Sequence, residues 1–117
     1  MKVLFVINDA PYGTEKAYNA LRLAMALQKE QPNTGVRVFL MADAVGCALP
    51  NQSTPQGYYN VERMLRSVIA KGGEVKLCGS CMDARGLGDL NLVKDAERGS
   101  MAELASWSID SDKVLTF

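Results

Sequence analysis

The sequence predicts an α/β fold in which a parallel sheet lies between two helical layers, α/β/α. Two observations carry this. Apolar runs of strand length alternate with helical patterns of roughly 10–16 residues, the order that successive βαβ units produce. The first run, Met1–Ile7, is almost unbroken Val, Leu, Phe and Ile, as in a central parallel strand buried on both faces. The length of 117 residues fits a single domain, 1–117.

The elements follow in order. After the first strand, Asn8–Gly13 is a turn-rich loop with Pro11 and Gly13, and Thr14 is placed to cap the helix that follows. Over Glu15–Glu30, Ala17, Leu21, Ala24 and Leu27 trace one apolar face, and Gln31-Pro32-Asn33-Thr34-Gly35 stops the helix. Val36–Met41 is a second strand that delivers Asp43 to its carboxyl end. Cys47–Tyr58 is irregular, with two prolines and a glycine. Val61, Met64, Leu65, Val68 and Ile69 recur at helical spacing up to the Gly72-Gly73 stop. Glu74–Cys78 is a third strand, Ser80–Gly86 a short helical turn, and Val93 the centre of a brief extended segment. Ser100-Met101-Ala102-Glu103 has the form of a capping box opening a helix to about Ile109, and Lys113–Phe117 is the last strand. In such sheets ligands bind beyond the carboxyl ends of the strands. The loops Asn8–Gly13, Ala42–Tyr59 and Cys78–Gly88 are therefore expected to converge.

Composition narrows the chemistry. There is no histidine, which removes every Ser-His-Asp or Cys-His device and every imidazole metal site. Thirteen basic residues balance thirteen acidic ones, so neither nucleic acid nor an anionic membrane is an expected partner. No apolar run approaches the ~20 residues of a membrane span. The N-terminal run is too short for a signal-peptide core, and three cysteines do not make a secreted disulfide framework, so the expected setting is the cytoplasm.

Cys78-Gly79-Ser80-Cys81 is the most informative stretch. A thiolate where a strand passes into a helix meets unpaired N–H groups that lower its pKa, and Lys76 and Arg85 lie close in sequence. The spacing lets Cys81 resolve an oxidised or persulfidated Cys78. Several readings compete. Two buried structural thiols are the plain one. Zinc would need about four ligands, and Cys47, Cys78 and Cys81 supply only three, with Asp43 or Asp83 as a strained fourth. A thioredoxin-like oxidoreductase would need a proline loop after the motif, and all four prolines precede it. A sulfur carrier or thiol relay is the fourth.

Other constellations are weaker. Asn8–Glu15 lacks both phosphate-binding glycine patterns, but Asp9, Tyr12 and Glu15, with Asp43, are candidates to line a pocket around Cys78. Asp43 as a phospho-acceptor fits poorly, because Lys113 precedes its strand. Cys47 reads as an incidental small apolar residue, Trp107 as core or subunit interface, and Tyr58-Tyr59 as a helix-entry or partner surface.

The motifs together resemble the DsrE/DsrF-like family, most closely its YchN-like branch. The resemblance spans the whole chain. It rests on Asn8-Asp9-Ala10-Pro11-Tyr12-Gly13-Thr14-Glu15, Leu21-Arg22-Leu23-Ala24, Phe39-Leu40-Met41-Ala42-Asp43-Ala44-Val45, Val75-Lys76-Leu77-Cys78 with Arg85-Gly86, and Asp112-Lys113-Val114-Leu115-Thr116-Phe117. It implies a five-stranded parallel sheet, assembly as a homotrimer or homohexamer, and sulfur relay through a persulfide on Cys78, with protein sulfur donors and acceptors and no cofactor. Arg85-Gly86 matches the family's spacing after the reactive cysteine, and Cys81 matches the second cysteine of the YchN-like branch, which the classical relay members do not require. Two alternatives stand beside sulfur carriage: a non-catalytic oligomeric binding or regulatory module, and a Cys78/Cys81 thiol–disulfide switch.

Overall fold

The computed structural model describes residues 1–117. Five parallel strands form one sheet in the order β4-β3-β2-β1-β5. They are β1 (Lys2–Ile7), β2 (Gly35–Leu40), β3 (Glu74–Cys78), β4 (Ala96–Gly99) and β5 (Lys113–Thr116), connected by the helices α1 (Lys16–Glu30), α2 (Val61–Ala70), α3 (Gly79–Ala84) and α4 (Met101–Ile109). The apolar β1 run lies between β2 and β5, and Val3, Leu4, Phe5 and Ile7 are all buried, as a strand covered on both sides requires.

The two faces are covered unequally. In register, Val3, Phe5, Val36, Val38, Val75 and Leu77 share one face, over which α1 and α2 pack side by side. Ala17, Ala20, Leu21 and Ala24 form the buried stripe of α1, small enough to let the helix approach the sheet. On the other face α4 buries only Trp107, whose ring meets Phe39 edge-on at 6.1 Å and receives Arg37 and Lys76 as cations over its plane. No helix is long and apolar enough to cross a membrane.

Four expectations need correction. The extended segment expected at Val93 is not a strand. Val93 is a buried anchor donating its N–H to Ala48, and β4 comes later, at Ala96–Gly99. Thr14 is not the N-cap residue of α1, which is Glu15, but its hydroxyl accepts from the Lys16 N–H at the helix start at 3.4 Å while donating to Asp9. Ala42–Ala48, expected to be loop, winds as a 3-10 helix with Asp43 in its first turn. The Ser100 hydroxyl does cap α4 by accepting from the Glu103 N–H, but the Glu103 carboxylate pairs with Lys76. The helix starts of α2 and α4 are otherwise where sequence placed them, with the Asn60 side chain accepting from the Arg63 N–H.

Candidate functional site

Cys78 ends β3 and is the N-cap residue of α3. Its position follows from the sheet: β3 is paired with β2 as far as Leu77 and with β4 through Cys78, which lies opposite Gly99. The Cys78 sulfur accepts from the Cys81 backbone N–H at 3.3 Å and lies 3.4 Å from the Ser80 hydroxyl. Cys78 is 7% exposed. Burial pushes its thiol up, but the Cys81 thiol, the Ser80 hydroxyl and the backbone N–H groups of Cys81 and Ser80 outweigh burial and hold it below the ordinary thiol value. Cys81 is shifted the other way: burial raises it first, and the neighbouring Cys78 raises it further. The pair is thus an ionisable thiol beside a thiol that keeps its proton. Both are free.

Arg98 is the residue beside Cys78 that sequence reasoning missed. It lies on β4, and Cys78 pairs in register with its neighbour Gly99. The Arg98 guanidinium lies over Gly79, where a side-chain carbon would come within 2.7–2.9 Å of it. Glycine at 79 is what lets a cation approach the head of α3. Asp83 holds Arg98 there by two hydrogen bonds, 3.0 and 2.6 Å, and the pairing keeps the Asp83 carboxyl below its ordinary value. Cys78, Gly79, Ser80, Arg98, Gly99, Ser100 and Met101 line a cavity of about 300 Å³.

The other expected site residues divide. Arg85 donates to the Cys81 carbonyl at 3.1 Å and pairs with Asp43 at 2.8 Å, so Asp43 reaches the cysteine pair through Arg85. Lys76 is engaged with Glu103 and Trp107. Asp9, Tyr12 and Glu15 do not line the cavity at Cys78 and make no hydrogen bond or ion pair with either cysteine. They belong to a second cluster on the same edge of the sheet. There the Tyr12 hydroxyl donates to Gln52 at 2.6 Å and accepts from the Val61 N–H at 3.0 Å, tying the first loop to the head of α2. Tyr12, Tyr18 and Tyr58 stack around Tyr59, with ring centroids 5.7, 4.1 and 4.4 Å from it. A hydrogen bond with Tyr58, then desolvation, pushes Tyr59 up to about 12, with Glu15 adding to the shift. Cys47 lies apart from the pair in the 3-10 helix, fully buried, and no three acidic or thiol side chains are grouped to hold a metal ion.

The model of the DsrE/DsrF-like family matches residues 1–117. Protein YchN of Escherichia coli K12 is 46% identical over 116 residues, covering 99% of this chain and 98% of the relative. An uncharacterised protein of Methanocaldococcus jannaschii is 38% identical over 117 residues, covering all of both chains. The crystal structure of the E. coli ychN protein superposes with a TM-score of 0.94, covering 99% of this chain and 98% of that one. A Methanobacterium thermoautotrophicum protein of unknown function shares the fold at a TM-score of 0.80 and 11% identity, covering 99% and 98% of the two chains. On the full-length family match and the 46% identity to YchN, the chain belongs to the DsrE/DsrF-like family.

Proposed function

We propose that the protein is a small cytoplasmic sulfur carrier that accepts sulfane sulfur as a persulfide on Cys78 and passes it on by thiol exchange. The observation that carries this reading is the Cys78 sulfur itself, a thiol held below its ordinary pKa by hydrogen bonds while bordering a cavity large enough for an added sulfur atom. In loading, the Cys78 thiolate attacks the outer sulfur of a donor persulfide. The donor thiolate leaves with the electron pair of the broken S–S bond. Delivery is the same exchange with an acceptor thiolate. No cofactor is required, because the thiolate supplies the nucleophile and the disulfide-like bond supplies the electron bookkeeping.

Assembly as a homotrimer or homohexamer is part of the proposal. It is supported by the thin cover that α4 gives its face of the sheet and by the exposure of Met101, Ile109 and Val114 there. Light scattering that returned a clean monomer would remove it.

Incubation with a persulfide donor followed by intact-mass measurement should add one sulfur atom to the wild type and none to Cys78→Ser. Equal uptake by the variant would overturn the assignment to Cys78. The low exposure of Cys78 favours a second reading, a binding module with an inert thiol. That reading requires Cys78 to resist alkylation at pH 7 in the folded protein, and rapid labelling excludes it.

A further inference from the structure

Cys78 stands between two different neighbours, and the sheet order decides which lies where. β3 is flanked by β2 on one side and β4 on the other. On the β2 side, the backbone N–H of Ala42, just beyond the end of β2, donates to the Cys81 sulfur at 3.2 Å. Ala42 has φ +50, a left-handed conformation that a residue with a side chain adopts at a cost. Together with the Arg85 bond to the Cys81 carbonyl, it fixes the second sulfur in place. On the β4 side lies the cavity, lined by Arg98, Gly99, Ser100 and Met101 and not by Cys81.

We infer that Cys81 is a resolving thiol that releases the sulfur carried on Cys78 as hydrosulfide, closing a Cys78–Cys81 disulfide. This rests on the persulfide reading above and adds a second activity to it. Displacement at sulfur is in line: the attacking sulfur, the attacked sulfur and the leaving sulfur lie nearly on one axis. With Cys81 on the β2 side of Cys78 and the cavity on the β4 side, a terminal sulfur in the cavity is opposite the attacking group. In the step, the Cys81 thiol gives its proton to the terminal sulfur of the persulfide anion, and its sulfur bonds to Cys78 Sγ. The bond from Cys78 Sγ to the terminal sulfur breaks, and the electron pair leaves with hydrosulfide. The terminal sulfur is reduced to sulfide, and the two cysteines are oxidised together to the disulfide, so a single turnover needs no other reductant. Burial and the adjacent Cys78 keep the Cys81 thiol protonated at rest, which makes its proton available. Arg98 and the hydroxyls of Ser80 and Ser100 border the space where the negative leaving group forms.

The full chain is loaded with sodium tetrasulfide, desalted without oxygen and held without added thiol, while intact mass and free sulfide are followed. The wild type should lose the added sulfur together with two hydrogens and release one sulfide per chain. Cys81→Ser should keep its added sulfur and release sulfide at least about tenfold more slowly. Arg98→Gln should slow release about tenfold, because the leaving anion loses its cation. A wild type that keeps its added sulfur on Cys78, forming no disulfide and releasing no sulfide, would overturn the resolving role and leave the carrier reading intact. A wild type that acquires neither sulfur on Cys78 nor the Cys78–Cys81 disulfide would overturn both. The wild-type time course is decisive by itself, so a poorly folded variant does not blunt the test.

Discussion

Cys47 and Cys78 are both buried thiols, and the structure pushes them in opposite directions. Cys47, in the 3-10 helix that follows β2, is fully buried, and burial pushes it up to about 12. Cys78 is 7% exposed and lies below the ordinary thiol value. Burial raises both, so burial is not what separates them. The difference is the supply of donors. Cys78 caps a helix start and collects backbone N–H groups and a hydroxyl that no intrahelical carbonyl uses. Cys47 sits inside a helical turn among Ala44, Val45 and Ala48, with one backbone hydrogen bond against complete desolvation. The lowered thiol pKa belongs to the junction of strand and helix rather than to cysteine as a residue type.

The largest expected effect is on alkylation. In the folded protein at pH 7, Cys78 should label with iodoacetamide at least ~1,000-fold faster than Cys47, whose thiolate is negligible and whose side chain is exposed only on unfolding. Comparable native labelling of the two would break the comparison. The pH profile sharpens it. A depressed thiol pKa means that the thiolate is already populated below the ordinary value, so Cys78 labelling should reach half its plateau at a lower pH than an ordinary exposed thiol does under the same conditions. It should fall as pH drops through the folded pKa. A midpoint above the ordinary value would show that desolvation wins at Cys78 as it does at Cys47.

Stability should separate the two cysteines in the reverse order. Cys47→Ser buries a hydroxyl in an apolar shell, at a cost of about 1–3 kcal/mol in denaturant unfolding. Cys78→Ser puts a favoured capping residue at a helix start, where the hydroxyl accepts the N–H that the sulfur accepted, and should change stability by less than ~0.5 kcal/mol. Equal losses would mean that Cys78 is a packing residue. The second loop cluster supplies the control: Tyr12→Phe removes the hydroxyl joining Gln52 to the Val61 N–H, should cost about 1–2 kcal/mol, and should leave Cys78 labelling unchanged.

The same contrast shows what the sequence could say. β1, α2 and β3 were legible because each carries a strong apolar period, and Cys78 was legible because a strand, a glycine and a second cysteine frame it. The 3-10 helix was not, because Ala42–Ala48 has no apolar period to distinguish it from loop. β4 was missed because Ala96-Glu97-Arg98-Gly99 has neither β-branched residues nor alternation. It is an edge strand held by its backbone pairing with β3, and Val93 nearby is the stronger apolar signal. With β4 went Arg98, whose place beside Cys78 depends on sheet order and not on sequence distance. The expected convergence of loops held, because the β2 loop meets the first loop at Gln52 and the β3 loop at Ala42 and Asp43, but only the second of these contacts reaches the cysteine pair. The loops from β2 and β3 meet at the cysteine pair through Ala42 and Arg85, while Tyr12 ties the first loop to Gln52 and α2.

The smallest expected effect tests how far Arg98 matters to Cys78. In Gly79→Ala the added carbon would meet the guanidinium at 2.7–2.9 Å, and since Arg98 is a flexible, half-exposed side chain, it would swing aside rather than strain the backbone. The opposing contributions to stability are both small. Alanine gains up to about 1 kcal/mol over glycine within a helix, and the exposed Arg98–Asp83 pair is worth about 0–1 kcal/mol. Urea midpoints should therefore move little, in the stabilising direction if at all. The thiolate, however, loses a neighbouring cation that responds to it in turn, since Cys78 contributes to raising the Arg98 pKa. Labelling of Cys78 at pH 7 should slow by about two- to threefold, a shift this small because the Cys81 thiol, the Ser80 hydroxyl and backbone N–H groups supply most of the hold on the sulfur. An unchanged rate would confine the activation of Cys78 to the Cys81 thiol, Ser80 and the backbone N–H groups of Ser80 and Cys81. A loss greater than about tenfold would instead make the β4 cation the main difference between Cys78 and Cys47.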